Sequence, residues 1–175
     1  MPTIPPVTIR RAAPEDIGLV VDLGSRTFSA AFADDNTVED MAEYLAANFN
    51  HERVAGELAD QDSAFFIAEV EGAAAGYAKL KKGELPSCVT DDRTIELERI
   101  YTLPEHFGKG VGEALMRRCL EEARGLGFRT VWLGVWERND RARAFYRKFG
   151  FRDVGDKIFQ LGNDPQHDKV MERAL

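Results

Sequence analysis

Gly108, Gly110 and Gly112 follow Leu103-Pro104-Glu105-His106-Phe107, between a segment that reads as a strand and one that reads as a helix. A strand, a glycine-rich turn and a helix start together aim unpaired backbone N–H groups at an anion, and glycine leaves room for a phosphate to approach. The helix dipole adds roughly 0.3–1 kcal/mol per charge in exposed settings. Such a segment either holds a diphosphate or is simply a tight connection. It is not a P-loop, because Gly110 is followed by Val111 and no Gly-Lys-Ser/Thr triplet occurs at the required spacing. It is not a dinucleotide fingerprint either, since that motif wants two residues before its last glycine. Just upstream lies Ile95-Glu96-Leu97-Glu98-Arg99-Ile100-Tyr101-Thr102. Alternation along a strand puts Glu96 and Glu98 on one face. Two nearby carboxylates repel each other, which raises the proton affinity of at least one and suits it to accept a proton. The alternative is a solvated strand face.

The elements that must position these groups follow from periodicity. Val7 to Arg11 alternates as a first strand, and Pro14-Glu15-Asp16 opens an amphipathic helix carrying Ile17, Val20, Val21, Leu23 and Phe28. Thr37 looks like the N-cap of a second helix through Met41, Tyr44, Leu45 and Phe49, and Glu52 to Ala59 forms a third. Ala64–Val70 and Ala74–Lys81, joined at Glu71-Gly72, make an antiparallel hairpin. Lys82 to Asp92 is a loop, Ile95 to Leu103 a strand, and Gly110 to Leu126 a long helix closed by Gly127. Arg129 to Val135 is a compact apolar strand, Asn139 to Phe149 a helix ending at Gly150, and Phe151–Leu161 and Lys169–Ala174 are the last strands. The order is mixed α and β, with a strand-helix-strand unit at its centre.

Composition narrows the function. With 175 residues, 44% hydrophobic and 30% charged, the chain suits one globular domain spanning 1–175. A net charge of -7 argues against a nucleic-acid binder and suits a cationic partner, or solubility alone. No apolar run is long enough to span a membrane and no secretory h-region opens the chain, so the cytoplasm is expected. Cys88 and Cys119 suggest neither metal nor disulfide, with Cys119 reading as core. His51, His106 and His167 are too scattered for a metal site, and none is expected.

Phe107-Gly108-Lys109-Gly110-Val111-Gly112 resembles the coenzyme A motif Arg/Gln-x-x-Gly-x-Gly/Ala of the GNAT acyl-CoA N-acyltransferases, with Phe107 at the usual Arg or Gln. Asn139-Asp140-Arg141-Ala142-Arg143-Ala144-Phe145-Tyr146-Arg147-Lys148-Phe149-Gly150-Phe151 is similar to that family's second hallmark, Asn-x-x-Ala-x-x-Phe-Tyr-x-Lys-x-Gly-Phe. The resemblance implies the GNAT α/β (α+β) fold, a mixed, mostly antiparallel sheet of about six or seven strands flanked by helices. It implies an acetyl-CoA cosubstrate held by Ile100, Tyr101 and Thr102, by the main chain from Phe107 to Gly112, and by Asn139, with Lys109, Arg143 and Lys148 near its phosphates. It makes Tyr146 the acid that protonates the departing thiolate, and an acid on the preceding strand, Glu96 before Glu98, the base. A phenol with an ordinary pKa near 10 is a sensible donor to sulfur.

A narrower likeness, to the PaiA-like polyamine acetyltransferases, rests on Tyr44-Leu45, Phe49-Asn50, Glu98-Arg99-Ile100-Tyr101, Trp132 to Asn139 and Phe159 to Met171. It implies a spermidine- or spermine-like acceptor, with Tyr44, Phe49, Trp136 and Glu137 at its site and Asp164 and Asp168 as further acids. Other readings are a protein N-terminal or lysine acetyltransferase, and a non-catalytic acyl-CoA-binding regulatory domain. A homodimer is common for such folds.

Overall fold

The computed structural model describes residues 3–175. Strands β1 (Val7–Arg11), β2 (Ser63–Val70), β3 (Ala73–Lys81), β4 (Thr94–Thr102), β5 (Thr130–Trp136), β6 (Arg152–Leu161) and β7 (Asp164–Ala174) form one sheet in the order β1-β2-β3-β4-β5-β7-β6. All neighbours run antiparallel except β4 and β5, which are parallel. The helices are α1 (Ile17–Phe32), α2 (Val38–Asn48), α3 (His51–Ala59), α4 (Val111–Gly125) and α5 (Asp140–Lys148).

Both faces of the sheet are covered, which is why β2 reads as an unbroken apolar run instead of an alternating one. Ala64, Phe66 and Ala68 join one core with Leu115, Met116, Cys119 and Ala123 from the apolar stripe of α4. Phe145, Tyr146 and Phe149 bring α5 against that same core. Phe65 and Ile67 point the other way and meet Val20 and Leu23 of α1 and Val54 of α3. A third cluster, Phe28, Met41, Phe49 and Leu161, ties α1 and α2 to the end of β6. Local signals set the boundaries. Thr37 accepts from Asp40 N at 3.1 Å and Asn50 from Arg53 N at 2.8 Å, capping α2 and α3. Glu71 and Gly72 both take positive φ, 52° and 79°, as a two-residue turn between β2 and β3 requires.

One strand is longer than its sequence suggests. Periodicity places the start of β7 at Lys169, but the strand begins at Asp164 and includes Pro165. The β5–β7 ladder ends at Trp136↔Asp168, so Pro165 has only β6 beside it. A proline is tolerated there because no neighbour on the second edge asks for its missing N–H.

The feature that creates the site is the short pairing of β4 with β5. It covers only Thr94↔Thr130, Ile95↔Val131 and Glu96↔Trp132, although the strands continue to Thr102 and Trp136. Beyond Glu96 and Trp132 they splay, and one edge of β4 is left with unpaired backbone groups.

Candidate active site

A cleft of about 850 Å³ opens at this splay. Its floor is β4 from Glu96 to Thr102 and β5 from Gly134 to Trp136, and its far end is the glycine-rich loop. Gly108 and Gly110 hold φ of +75° and +80°, while the space a Cβ would occupy is open at both. Backbone conformation, not crowding, therefore calls for glycine. Phe107 N and Lys109 N donate to Pro104 O and His106 O. The amides of Gly108, Gly110, Val111 and Gly112 have no backbone acceptor among the described residues, and no side chain caps α4 at Gly110. Unpaired donors at a helix start, carrying the positive end of its dipole, fit a diphosphate. The free edge of β4 at Ile100, Tyr101 and Thr102 fits an amide-bearing arm that can pair with it as a strand would.

Phe107, at the position where an arginine or glutamine is usual, is 46% exposed, and the Arg141 guanidinium stacks 3.9 Å from its ring centre. A cation thus reaches the mouth of the loop from α5. Lys148 lines the same side. Lys109 is exposed and outside the cleft. Arg143, expected near the phosphates, is committed elsewhere: it donates to Glu137 O at 3.2 Å and to Asp153 at 3.3 Å. Glu137 likewise lies outside the cleft lining.

The two carboxylates on β4 differ in their surroundings. The β3–β4 register pairs Lys79 with Arg99 and then Leu80 with Leu97, so Glu98 is the extra residue of a bulge. There its carboxylate meets the buried Lys79 ammonium at 2.5 Å. Lys79 also pairs with Glu57 at 3.3 Å, and Arg99 with Glu57 at 2.9 Å. Burial pushes Glu57 up, but Arg99 and Lys79 outweigh it and hold the carboxyl at about 2. Glu96 forms no ion pair among the described residues. Burial, and next the charge of Glu98, push its carboxyl up to about 7. The bulge thus leaves one carboxylate tied into a buried network and the other poised to exchange a proton near neutrality.

Tyr146 lines the cleft from α5, edge-on to Phe145 and Phe151. Burial raises its phenol above the ordinary range, so it is protonated at neutral pH. Asn139 caps α5 by accepting from Ala142 N at 3.1 Å, which leaves its amide nitrogen free to face the cleft. Tyr44, Phe49 and Trp136 line the other end, together with Phe28, Phe32 and Phe159. Tyr44 stacks on Phe28 at 4.3 Å, and Phe32 tilts against Trp136 at 6.4 Å. Asp168 is also here, pushed up to about 6 by burial. Lys157, Arg141 and Asp35 were not indicated by the sequence. Lys157 sits in the exposed-looking β6, and only the sheet order brings it to the cleft.

A loop of unpaired amides, a splayed sheet edge, and a carboxyl and a phenol facing one cleft suit a transferase that uses an extended, phosphate-bearing donor. Residues 26–151 match the acetyltransferase (GNAT) family. An uncharacterised N-acetyltransferase of Mycobacterium tuberculosis is 38% identical over 153 residues, covering 87% of this chain and 94% of its own. Another, from Lactobacillus delbrueckii subsp. lactis, is 33% identical over 169 residues, covering 97% and 98%. In fold, the chain is similar to the crystal structure of PaiA N-acetyltransferase from Thermoplasma acidophilum in complex with coenzyme A, with TM-score 0.76, 20% identity, and 97% and 99% of the two chains covered. The chain belongs to the GNAT acetyltransferase family. It is an acetyl-CoA-dependent N-acetyltransferase.

Proposed function

We propose that this enzyme acetylates a primary amine of a small cationic acceptor of the polyamine type, by direct attack while both substrates are bound. The observation that carries the reading is Glu96, a carboxylate with no ion-pair partner among the described residues, at the apex of the splay and with its proton affinity near neutrality.

An amine that arrives as an ammonium sheds two protons on becoming an amide. Glu96 takes the first, directly or through a water, and frees the nitrogen lone pair. The nitrogen attacks the thioester carbonyl carbon, the N–C bond forms and the C–S bond breaks. Tyr146 gives its phenolic proton to the leaving sulfur and is recharged by the second proton from nitrogen. Bound acetyl-CoA supplies the activated acyl group; the loop amides and the β4 edge orient it.

Two features of the acceptor end support a cationic amine. Glu96, Asp35 and Asp168 place carboxylates along the cleft, and Phe32, Tyr44, Trp136 and Phe159 line it with aromatic rings. Carboxylates spaced along an apolar, aromatic slot match ammonium groups spaced along an aliphatic chain. The test is thiol release from acetyl-CoA with spermidine, spermine and short diamines, beside peptides with a free N-terminus or lysine. Turnover on the polyamines is expected, falling roughly a hundredfold in Tyr146→Phe with acetyl-CoA binding retained. Acetylation of the peptides alone would replace the small-amine reading with a protein acceptor. Binding without turnover on any amine would leave an acyl-CoA-binding domain.

A further inference from the structure

We infer that Lys157 is itself an acceptor, so that the enzyme acetylates its own cleft lysine when no better amine is present. The inference rests on the reading of the Glu96 cleft as the place of acetyl transfer, and it is carried by where the Lys157 ammonium lies.

Lys157 leaves β6 opposite Asp168 of β7, and Asp168 in turn faces Trp136 of β5. The lysine side chain runs across β7 and reaches β5 at Gly134. A Cβ on Gly134 would lie 2.4 Å from Lys157 Cε and 3.1 Å from Nζ. Gly134 has no positive φ to explain it. The lysine crossing its backbone is what the glycine accommodates. Nζ ends 5.5 Å from the centre of the Trp132 ring, and Trp132 is the residue paired with Glu96 where the two strands part. Gly134 and Trp132 share a face of β5, being two residues apart. The amine therefore stands over β5 at the level of the splay, where its charge acts on Glu96 without an ion-pair contact.

Its company distinguishes it from the other lysines. Lys79 is buried and doubly paired with Glu57 and Glu98, and Lys169 is bound to Asp156. Lys81 faces Glu96 across the β3–β4 ladder but does not line the cleft, Lys82 and Lys109 are exposed and outside it, and Lys148 stands near Glu113 at the start of α4. Lys157 lines the cleft and forms neither an ion pair nor a hydrogen bond with a side chain among the described residues. Glu96 and Asp168 are the carboxylates that face it, and its charge counts among the influences that lower the proton affinity of each.

The step balances as it does for a free amine. The Lys157 ammonium yields a proton to Glu96 through a water, and its nitrogen attacks the thioester carbonyl carbon. The N–C bond forms as C–S breaks, Tyr146 protonates the sulfur, and the second nitrogen proton restores the phenol. The products are Nζ-acetyl-Lys157 and free coenzyme A.

The test is incubation of the full chain with acetyl-CoA and no added amine, followed by intact-protein mass spectrometry and peptide mapping. One acetyl group on Lys157 is expected, formed faster than any on Lys82 or Lys109. Tyr146→Phe should slow it about a hundredfold. Gly134→Ala, which displaces the lysine, should slow it about tenfold. Lys157→Arg should take up no acetyl group at that site. An unmodified Lys157, or one acetylated no faster than Lys82 and Lys109, overturns the inference. So does a rate unchanged in Tyr146→Phe, which would mark simple chemical acylation. The two readings fail separately: free amines turned over by a chain whose Lys157 stays unmodified leave the small-amine function intact, whereas acetyl-Lys157 formed by an enzyme that rejects every free amine leaves only the self-acetylation.

Discussion

At the scale of single residues, the different surroundings of Glu96 and Glu98 are set by one bulge. Glu98 is pinned by Lys79, and its charge is the second cause, after burial, of the high proton affinity at Glu96. Glu98→Gln removes that charge. Glu96 should then titrate below about 7 and, in its proposed role as base, move the acid limb of the kcat/KM profile to lower pH, because a neighbouring anion disfavours ionisation and its loss favours it. A pH–rate profile with an unmoved acid limb would show that burial alone sets the base. The pair was legible in the sequence as two acids on a strand, but its asymmetry was not. A bulge is fixed by the partner strand, and nothing in Ile95 to Thr102 reveals that Lys79 will face Arg99 and leave Glu98 unpaired in register. The same holds for Phe107: its departure from the motif could be read from sequence, whereas the Arg141 guanidinium stacked on it could not. That contact depends on how α5 approaches the loop.

At the scale of elements, the aromatic end of the cleft, the proposed acceptor side, depends on how closely α1 and the α2–α3 junction approach each other. Phe49 follows α2, and its ring would lie 2.3 Å from a Cβ on Gly24 of α1. Phe49 also lines the cleft and lies under the Arg99 guanidinium, 5.1 Å from it. Gly24→Ala gains helix propensity but must push this ring aside. A loss of about 1–3 kcal/mol in unfolding free energy is expected. It should come with a higher KM for the amine and little change in the KM for acetyl-CoA, whose loop is at the other end. Equal rises in both KM values would point to general loosening instead. Opposite α2, the β6–β7 turn is held by Asp40, which accepts from Asn163 N at 3.0 Å, and by Gln166, which donates to Asn36 at 2.6 Å. Helix caps, the β2–β3 turn and the glycine-rich loop were legible because each is written within a few residues. These tertiary links were not, since the partners in each stand more than a hundred residues apart.

At the scale of the whole molecule, the chemistry of the cleft acts against stability, with a definite dependence on pH. Glu96 and Asp168 are held at about 7 and about 6, above their ordinary values of 4.5 and 3.8. Between the ordinary and the raised value the folded chain keeps a proton that the unfolded chain has released. Rising pH therefore favours the unfolded state across that interval, and the penalty is complete above about 7. Glu57 works in the opposite sense: held at about 2, it contributes stability above its ordinary 4.5 that is lost as the pH falls toward 2. Glu96→Gln and Asp168→Asn each replace a carboxylate that ionises reluctantly with a neutral group of the same shape. Each should raise stability at pH 8 by about 1–3 kcal/mol, shrinking to nothing near pH 4 where the native carboxyls are already protonated. The gains should not add fully, because Lys157 faces both acids and loses both counter-charges in the double variant. Only Glu96→Gln should also abolish most of the turnover. Denaturant unfolding at pH 4 and pH 8 measures the first effect and thiol release the second. A Glu96→Gln enzyme no more stable at pH 8 than the native one would mean that the carboxylate is not held in an unfavourable ionised state, and with that the base near neutrality would be lost as an explanation of the reaction.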